Sequence, residues 1–454
     1  MKYLLLTLSL LTTSAWANLH LAPPDFSVNE SKAIFVDFTK AEYDITYDVS
    51  KKVTTVKSRI TFKADKMGSP VFDLVPNPSS VILDGHQVEA ETISAPDGSK
   101  LRMVNVSVDQ GSHVLEVVNT FRKNVRYSLF RKTVSSAFWI RDLKDRMFME
   151  QYIPSNYEFD QYQITMKVTF KNAGQAKQDI FTNGKVTEIG LNSYQIDYPA
   201  YFTVSCPYFH TSPKGKLRRY DFTYPSVDGR EIPVTVYSPW YLKTSKYKNY
   251  AIKIMTELEA DYGPWAHPSL IAYGMLPGTG GMEHAGATAT SLAALDHEML
   301  HSYFAKGVMP ASGNSGWIDE AIASWRDWGY PRMPSTGYAS SGLGNHSAYQ
   351  RNTDVRAYSL GKDFMAYLDY RLQDKGGLKA FLRGYYHAYK HTVITNEHFK
   401  NNLEFFSGLD LTEDFNTYVW GPDMPKPTQT QEDEKLHHNS NHVPLSDSQL
   451  RSIL

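Results

Sequence analysis

Residues 296–304 read DHEMLHSYF and place two histidines, His297 and His301, four positions apart. On a helix, residues four apart lie on the same face, about 5–6 Å apart at Cβ. Two imidazoles at this spacing can bind one zinc ion. Glu298 follows the first histidine and is placed to reach a water at the metal rather than the metal itself. The stretch predicts two zinc ligands and a general base; the alternative is an ordinary polar helix face.

A catalytic zinc site needs a third protein ligand. Eighteen residues separate His301 from Glu320, which lies in the helical pattern GWIDEAIASW at 316–325. The segment between them contains glycine and proline, as a connection between packed helices does. Apolar residues dominate the second helix, so the presence of an acid such as Glu320 there favours a role as a metal ligand. The alternative is that Glu320 is a solvated carboxylate on the helix surface. We predict that His297, His301 and Glu320 bind one Zn²⁺ per chain.

The HEMLH stretch and Glu320 together resemble the gluzincin zinc metallopeptidases of the aminopeptidase N and leukotriene-hydrolase type. A second stretch, GGMEH at 280–284, resembles the Gly-x-Met-Glu-Asn segment that this family carries upstream of its zinc helix. In the family, that backbone lies along the substrate as an added strand, and its glutamate binds the free α-amino group of the substrate. The substrate-binding residues that the resemblance implies are Gly280, Gly281, Met282 and Glu283. The alternative is a tight glycine turn.

Residues 357–364 read AYSLGKDF and match the Tyr-x-x-Gly context of a family tyrosine that follows the third zinc ligand. The resemblance implies that the hydroxyl of Tyr358 donates a hydrogen bond to the oxyanion, with Tyr349 as an alternative. The family also uses a glutamine from its β-domain at the amino terminus of the substrate. Glu150 or Gln151 is a candidate for that position.

The chain departs from the family pattern around the site, and these departures leave the choice between exopeptidase and endopeptidase open. His284 stands where the family commonly has asparagine. The connections on both sides of the zinc helices are short. Asp319 and Asp296 are candidates for orienting a ligand imidazole, because they lie beside the ligands in sequence.

Composition and the N-terminus predict an exported globular protein. The chain has 454 residues, of which 42% are apolar and 21% charged, with a formal net charge of -1. This is enough chain for two or three domains, and the balanced charge argues against nucleic-acid binding. Residues 1–17 combine a lysine, an apolar run and an Ala-Trp-Ala cleavage site, as secretory signal peptides do. The mature chain is predicted to start at Asn18, with no transmembrane span.

Cysteine usage refines the predicted location. Cys206 is the single cysteine, so the chain has no intramolecular disulfide. An exported protein of this size without disulfides is typical of a bacterial periplasm or exterior rather than of a disulfide-rich eukaryotic secretion. We therefore predict that the protein is exported to the bacterial periplasm or outside the cell.

The domain organisation follows from changes in periodicity along the chain. Alternating strands and turns predict an all-β N-terminal domain at 18–212, and the resemblance implies saddle-like antiparallel sheets. Helical spacing dominates the second half, where the resemblance implies a thermolysin-like α+β catalytic domain at 213–424. The polar segment 425–454 is predicted to be a flexible tail. The expected fold class is multidomain α+β without a large C-terminal helical domain. Helices are predicted at 249–263, 290–307, 316–329, 355–377, 378–390 and 396–408.

These features predict an exported zinc metallopeptidase, most simply an aminopeptidase whose substrates are peptides with a free N-terminus. Glu298 is then the general base, and Tyr358 stabilises the oxyanion. One alternative is an endopeptidase with an open cleft. The large C-terminal helical domain that covers the site in many family members is not expected here. Another is a non-catalytic peptide-binding protein that retains the zinc site.

Overall fold

The computed structural model describes residues 18–421. The predicted signal peptide at 1–17 and the predicted tail at 425–454 lie outside the described residues. Across residues 18–421, none of the helices is both long enough and apolar enough to cross a membrane.

The described chain starts with strands only and gains helices in its second half. The strands of the first half are β1 (Phe26–Val28), β2 (Ser31–Ile34), β3 (Asp37–Asp48), β4 (Val53–Ala64), β5 (Ser69–Phe72), β6 (Pro78–Leu83), β7 (His86–Val88), β8 (Ala90–Ser94), β9 (Lys100–Val104), β10 (Gly111–Phe121), β11 (Val125–Ser128), β12 (Thr133–Ala137), β13 (Gln163–Lys171), β14 (Gln178–Thr182), β15 (Lys185–Gly190), β16 (Ser193–Asp197) and β17 (Phe209–Pro213). The later strands are β18 (Arg218–Pro225), β19 (Glu231–Ser238), β20 (Leu270–Gly274), β21 (Glu283–His284), β22 (Ala287–Thr290), β23 (Val308–Pro310) and β24 (Thr392–Ile394). The α-helices are α1 (Thr244–Tyr262), α2 (Leu295–Leu300), α3 (Trp317–Asp327), α4 (Leu360–Arg371), α5 (Gly377–Tyr389), α6 (Asn396–Ser407) and α7 (Thr412–Tyr418). Short 3-10 helices lie at Asn18–Leu21, Met149–Gln151, Val355–Ala357 and Gln373–Lys375.

The largest sheet has eight strands in the order β15-β16-β13-β3-β4-β10-β6-β7. Its central strands are long, with 12 residues each in β3 and β4 and 11 in β10. These three strands pair antiparallel, whereas β13 runs parallel to β3. The prediction of purely antiparallel sheets is therefore wrong at this pair. A parallel neighbour needs a long crossover, and the strands between β3 and β13 in sequence form that crossover.

Two smaller sheets complete the β-rich half, with strand orders β1-β2-β5-β9-β8 and β11-β12-β17-β14. Side chains from all three sheets form one apolar core. Aromatic residues fill its centre: the rings of Phe138 and Tyr152 are stacked with centroids 4.4 Å apart. The thiol of Cys206 is buried in the same core.

A five-stranded sheet in the order β18-β19-β20-β22-β21 begins the second half. Strands β19, β20 and β22 run parallel, and β21 pairs antiparallel with β22 at the edge. Helix α1 packs on this sheet because its apolar residues recur at helical spacing. The buried apolar residues of α1 are Tyr247, Ala251, Ile254, Met255, Leu258 and Tyr262. The predicted succession of a β-rich part and a mixed α and β part is confirmed.

Helices α3 and α4 pack directly against each other. Gly361 of α4 lies against α3, and a Cβ built on this glycine would be 2.8 Å from the Cβ of Ala321. That distance is shorter than a normal carbon–carbon contact, so only glycine allows the two helices to approach this closely.

The helix predicted at 290–307 is wrong at both ends. Residues Ala287–Thr290 form β22, and the helix spans only Leu295–Leu300. After His301 the chain turns, with a φ of 118° at Ala305, whose N–H donates to the carbonyl of Val308 at 3.0 Å. Of the predicted helix only Thr290 lies in β22, where it pairs with Gly274 of β20, and residues 292–294 form a turn before α2 begins.

The helix predicted at 355–377 is interrupted on both sides of α4. A 3-10 turn precedes α4, and the 3-10 helix Gln373–Lys375 and Gly376, which has a φ of 95°, separate α4 from α5. The other four predicted helices correspond to α1, α3, α5 and α6, with ends shifted by a few residues. Helix α7 was not predicted.

Candidate metal centre and active site

The structure brings His297, His301 and Glu320 together, and one ligand atom from each lies within 4.8 Å of the others. The Nε2 atoms of the two histidines lie 3.2 and 3.4 Å from Oε2 of Glu320. The two imidazole rings are edge to face, with centroids 4.8 Å apart. All three side chains are buried. Two imidazole nitrogens and one carboxylate oxygen form a donor set that suits zinc.

The other ring nitrogen of each histidine also has a partner. Nδ1 of His297 lies 2.7 Å from Oδ2 of Asp327, and Nδ1 of His301 lies 3.2 Å from the carbonyl oxygen of Phe304. Such partners fix the tautomer and aim Nε2 at the metal. The sequence analysis missed Asp327, although it lies seven residues after Glu320 and therefore two turns along the same face of α3.

The two aspartates predicted to orient the imidazoles have other partners. Oδ2 of Asp296 lies 3.8 Å from Nη1 of Arg326, and Oδ1 of Asp319 accepts the backbone N–H of Glu320 at 2.7 Å. For His297 the prediction is therefore wrong, because Asp327 occupies this position. Consecutive residues on a helix point about 100° apart, so adjacency to a ligand in sequence does not place a side chain behind it.

Glu298 is buried beside the metal ligands, and the backbone of the glycine stretch lies against its carboxylate. A Cβ built on Gly281 would lie 2.2 Å from Oε1 of Glu298, so any side chain at position 281 would displace this carboxylate. Burial raises the pKa of Glu298 to about 8; the charge of His297 opposes this shift and that of Glu283 adds to it. A carboxyl group with a pKa near neutrality is suited to accept and release a proton.

Tyr358 lies at the site, and Tyr349 does not have this environment. The hydroxyl of Tyr358 donates to Oε1 of Glu320 at 2.7 Å, and its ring lies parallel to that of His297 with centroids 6.0 Å apart. The hydroxyl of Tyr349 instead donates to the carbonyl of Pro24 at 2.7 Å, in the β-rich half. Of the two tyrosines, Tyr358 is therefore the one that contacts the candidate metal ligands.

The stretch from Gly280 to Glu283 lies at the edge of the five-stranded sheet. Met282 and Ala289 exchange both backbone hydrogen bonds, at 3.0 and 3.1 Å. Because hydrogen bonding alternates along an antiparallel pair, the N–H and C=O groups of Gly281 and Glu283 point away from β22. An extended peptide can pair with an edge of this kind.

The carboxylate of Glu283 has a cationic partner that the sequence analysis missed. Nζ of Lys306 lies 3.2 Å from Oε1 of Glu283 and 2.9 Å from Oγ of Ser205. Both side chains of this ion pair are only 5% exposed. Burial alone would lower the pKa of Lys306, but Glu283 and Glu158 raise it above its usual range, so the ammonium stays charged.

Glu150 and Gln151, which lie in the β-rich half, and His284, which lies on β21, have partners outside the cluster of His297, His301 and Glu320. Oε2 of Glu150 lies 3.1 Å from Nη2 of Arg351, and Oε1 of Gln151 accepts a hydrogen bond from Lys123. Nδ1 of His284, which follows Glu283 on β21, lies 3.0 Å from the carbonyl oxygen of Pro207. His284 therefore joins the edge strand to the loop before β17.

Buried carboxyl groups are crowded around the metal ligands. Burial, followed by the charges of Glu283 and Glu320, raises the pKa of Asp142 well above its usual range. Burial raises the pKa of Asp319 to about 8, and Glu320 and Glu283 add to this shift. So many acids in one buried region cannot all ionise unless cations compensate them. A divalent cation on the three ligands would supply that compensation, so the residues fit a zinc ion.

The comparisons with known proteins concern the fold. No protein-family model matches the sequence, and no curated protein matches it significantly. Leukotriene A4 hydrolase from Saccharomyces cerevisiae matches with a TM-score of 0.63 at 14% identity, over 97% of this chain and 77% of that chain. An M1 zinc metallopeptidase from Deinococcus radiodurans matches with 0.60 at 15% identity, over 87% and 96%. Aminopeptidase A from Legionella pneumophila matches with 0.61 at 13% identity, over 87% and 51%.

These three structures define the fold class. At 13% to 15% identity, the likeness shows that this chain has the fold seen in M1 zinc metallopeptidases and leukotriene A4 hydrolase. The cluster of His297, His301 and Glu320 adds a candidate zinc site to that fold.

Proposed function

We propose that this chain is a zinc-dependent metallopeptidase that hydrolyses peptide bonds. The observation that carries this proposal is the convergence of His297, His301 and Glu320 within 4.8 Å, beside the buried carboxyl of Glu298. The fold shared with M1 zinc metallopeptidases supports it. A structural zinc site does not need an acid next to its ligands, whereas hydrolysis needs a base there.

In this proposal, His297, His301 and Glu320 hold one zinc ion, and Asp327 keeps the first imidazole in place. A zinc ion bound there supplies Lewis-acid chemistry, which polarises a carbonyl and lowers the pKa of water. Glu298 accepts the proton of the attacking water and passes it to the leaving amine, for which its raised pKa is suited. Tyr358 donates its hydroxyl proton in a hydrogen bond to the developing oxyanion.

The position of cleavage has two candidates. The first is removal of amino-terminal residues, in which Gly280, Gly281 and Met282 align the peptide and Glu283 binds its free α-amino group. The second is cleavage within a chain, as in an endopeptidase. The ion pair between Glu283 and Lys306 favours the second candidate, because the carboxylate already has an ammonium partner.

The proposed chemistry can be tested with Glu298→Gln. We expect the variant to keep one zinc ion per chain, measured by plasma mass spectrometry, and to lose about 10²–10⁴-fold in peptide hydrolysis. Glu397→Gln, at an exposed position of α6, is the matched control and should keep full activity. Removing the metal with a chelator should abolish hydrolysis, and added zinc should restore it. Unchanged turnover in Glu298→Gln would exclude Glu298 as the base, and a metal-free protein would exclude the zinc site.

We also propose that the protein is exported. The charged start, short apolar run and Ala-Trp-Ala site within residues 1–17 support this. Expression of the whole chain in a bacterium should yield periplasmic protein whose N-terminus is Asn18. Cytoplasmic protein with an intact Met1 would contradict it.

A further inference from the structure

We propose that Lys306 determines the substrate class of this site: it neutralises Glu283, so that peptides bind whether or not their α-amino group is free. This inference rests on the proposed peptidase function and decides between its two candidates. Acceptable substrates then include amino-terminally blocked peptides and internal segments of longer chains.

Lys306 lies in the same chain segment as the proposed zinc ligand His301. The backbone N–H of Lys306 donates to the carbonyl oxygen of His301 at 2.9 Å, which fixes the start of the side chain one turn beyond α2. Its Nζ then reaches Glu283 and Ser205, at 3.2 and 2.9 Å. The position of the ammonium is therefore coupled to that of a proposed metal ligand.

A second network holds the ammonium from the β-rich half. The hydroxyl of Ser205 donates to Oε2 of Glu158 at 3.0 Å, and that of Thr203 donates to the same oxygen at 2.8 Å. Lys306 thus lies between two buried carboxylates, Glu283 on β21 and Glu158 across the boundary between the two halves. A lysine at 5% exposure that pairs directly with Glu283 and is linked to Glu158 through the Ser205 hydroxyl is a fixed part of the site rather than a mobile surface cation.

The direct ion pair with Lys306 removes the requirement for a substrate ammonium at Glu283. Glu283 and Lys306 form a neutral pair, and an incoming α-ammonium would meet the positive charge of Lys306 as well as the negative charge of Glu283. For an α-ammonium to replace Lys306 at Glu283, the lysine would have to remain buried without its partner. Leaving a buried charge unpaired is strongly unfavourable. An acetylated amino terminus or an internal peptide unit meets no such barrier.

The test measures binding separately from catalysis. Zinc-loaded Glu298→Gln protein is mixed with a randomised synthetic peptide mixture, one half of which is acetylated at the amino terminus, and the bound peptides are quantified by mass spectrometry. We expect equal enrichment of free and acetylated peptides. Enrichment of free peptides by about tenfold or more would overturn the inference, since a working amine site discriminates by charge.

Substitutions of Lys306 and Glu283 show whether their ion pair causes the equal binding of free and acetylated peptides. In the Glu298→Gln background, Lys306→Met should raise the free-to-acetylated ratio by about tenfold, because Glu283 then lacks its partner. Because that variant leaves a buried charge and can fail to fold, Glu283→Gln combined with Lys306→Met serves as the neutral, similarly sized second variant and should keep a ratio of one. A ratio that does not change in folded Lys306→Met would also overturn the inference.

The outcomes separate this inference from the proposed function. If the wild-type protein does not hydrolyse peptides but Glu298→Gln binds free and acetylated peptides equally, the proposed function fails and the inference holds. If hydrolysis is zinc-dependent but restricted to free amino termini, the proposed function holds and the inference fails. If neither half of the mixture binds, the inference fails.

Discussion

The imidazole of His297 is held from both sides, with Nε2 facing Glu320 and Nδ1 lying 2.7 Å from Asp327. Burial alone would lower the pKa of His297, but the carboxylates of Asp327 and Glu320 raise it well above its usual range. A metal ion on Nε2 would require that nitrogen to be unprotonated, and the contact with Asp327 would keep the remaining ring proton on Nδ1.

The contact between Asp327 and Nδ1 of His297 leads to a prediction about metal affinity. Asp327→Asn removes the negative charge behind His297 but keeps nearly the same side-chain volume. We expect zinc affinity to fall by about 10–100-fold, which is typical for loss of such a partner. Competition with a chromophoric zinc chelator measures the dissociation constant directly.

Asp374→Asn provides the matched control, because this aspartate is exposed in the 3-10 helix Gln373–Lys375. Its zinc affinity should equal that of the unsubstituted protein. Equal affinities for Asp327→Asn and Asp374→Asn would show that Asp327 does not support the metal ligand.

Site residues could be predicted from sequence where local spacing brings them together. His297 and His301 are one helical turn apart, whereas Tyr358 was suggested only by the family resemblance of its Tyr-x-x-Gly context. Lys306 and Asp142 could not be found in this way, because no periodic pattern links them to the zinc ligands. Asp142 comes from the β-rich half, and Lys306, although only five residues after His301, pairs with Glu283 on a separate strand, so the sequence pattern encodes neither contact locally.

Among the elements, the helices with a clear apolar stripe were predicted well, and α2, which carries the candidate zinc ligands, was not. In α1, apolar residues recur over 19 residues and indicate one buried face. Helix α2 has only six residues, and its neighbours on the N-terminal side pair as a strand. So short a helix gains little from its own backbone hydrogen bonds, and tertiary packing decides where it begins and ends.

The contact between α3 and α4 gives a prediction about stability at the level of elements. Gly361→Ala would place a methyl group 2.8 Å from the Cβ of Ala321 and force the two helices apart. Overpacking of this kind costs about 1–3 kcal/mol of the free energy of unfolding. Urea unfolding followed by circular dichroism measures this change.

Gly384→Ala is the control for the helix propensity of the new alanine. Gly384 also lies within a helix, α5, and a Cβ built on it meets no heavy atom within 4 Å. We expect this variant to be more stable by about 0.5–1 kcal/mol, since alanine restricts the unfolded chain more than glycine does. Stabilisation of both variants would show that the α3–α4 contact can relax without cost.

At the scale of the whole molecule, the β-rich half and the mixed half could be told apart from periodicity, but the strand orders could not. The parallel pairing of β13 with β3 joins segments that are far apart in the chain, and alternation alone does not choose between parallel and antiparallel neighbours. The described residues correspond closely in extent to the Deinococcus radiodurans structure, 96% of which is covered by the match.

The two halves are joined by a buried charged cluster around Arg351. This residue belongs to the segment between α3 and α4, whereas its partners come from the β-rich half. Its Nη1 lies 3.1 Å from Oδ2 of Asp73, and its Nη2 lies 3.1 Å from Oε2 of Glu150. The guanidinium also lies over the rings of Phe148 and Tyr157, at 4.8 and 4.9 Å. The segment that leads to Tyr358 is therefore anchored on the β-rich half.

Arg351→Met tests how strongly this cluster couples the halves. The substitution leaves two buried carboxylates without their shared cation, and we expect the free energy of unfolding to fall by about 3–5 kcal/mol. Arg131→Met, at an exposed position of the β-rich half, should change it by less than about 0.5 kcal/mol. Urea unfolding monitored by tryptophan fluorescence compares the two.

Because buried acids bind protons when their cation is removed, lowering the pH should restore part of the stability of Arg351→Met but not change that of Arg131→Met relative to the unsubstituted protein. An equal, small loss in both variants would mean that apolar packing alone holds the halves together.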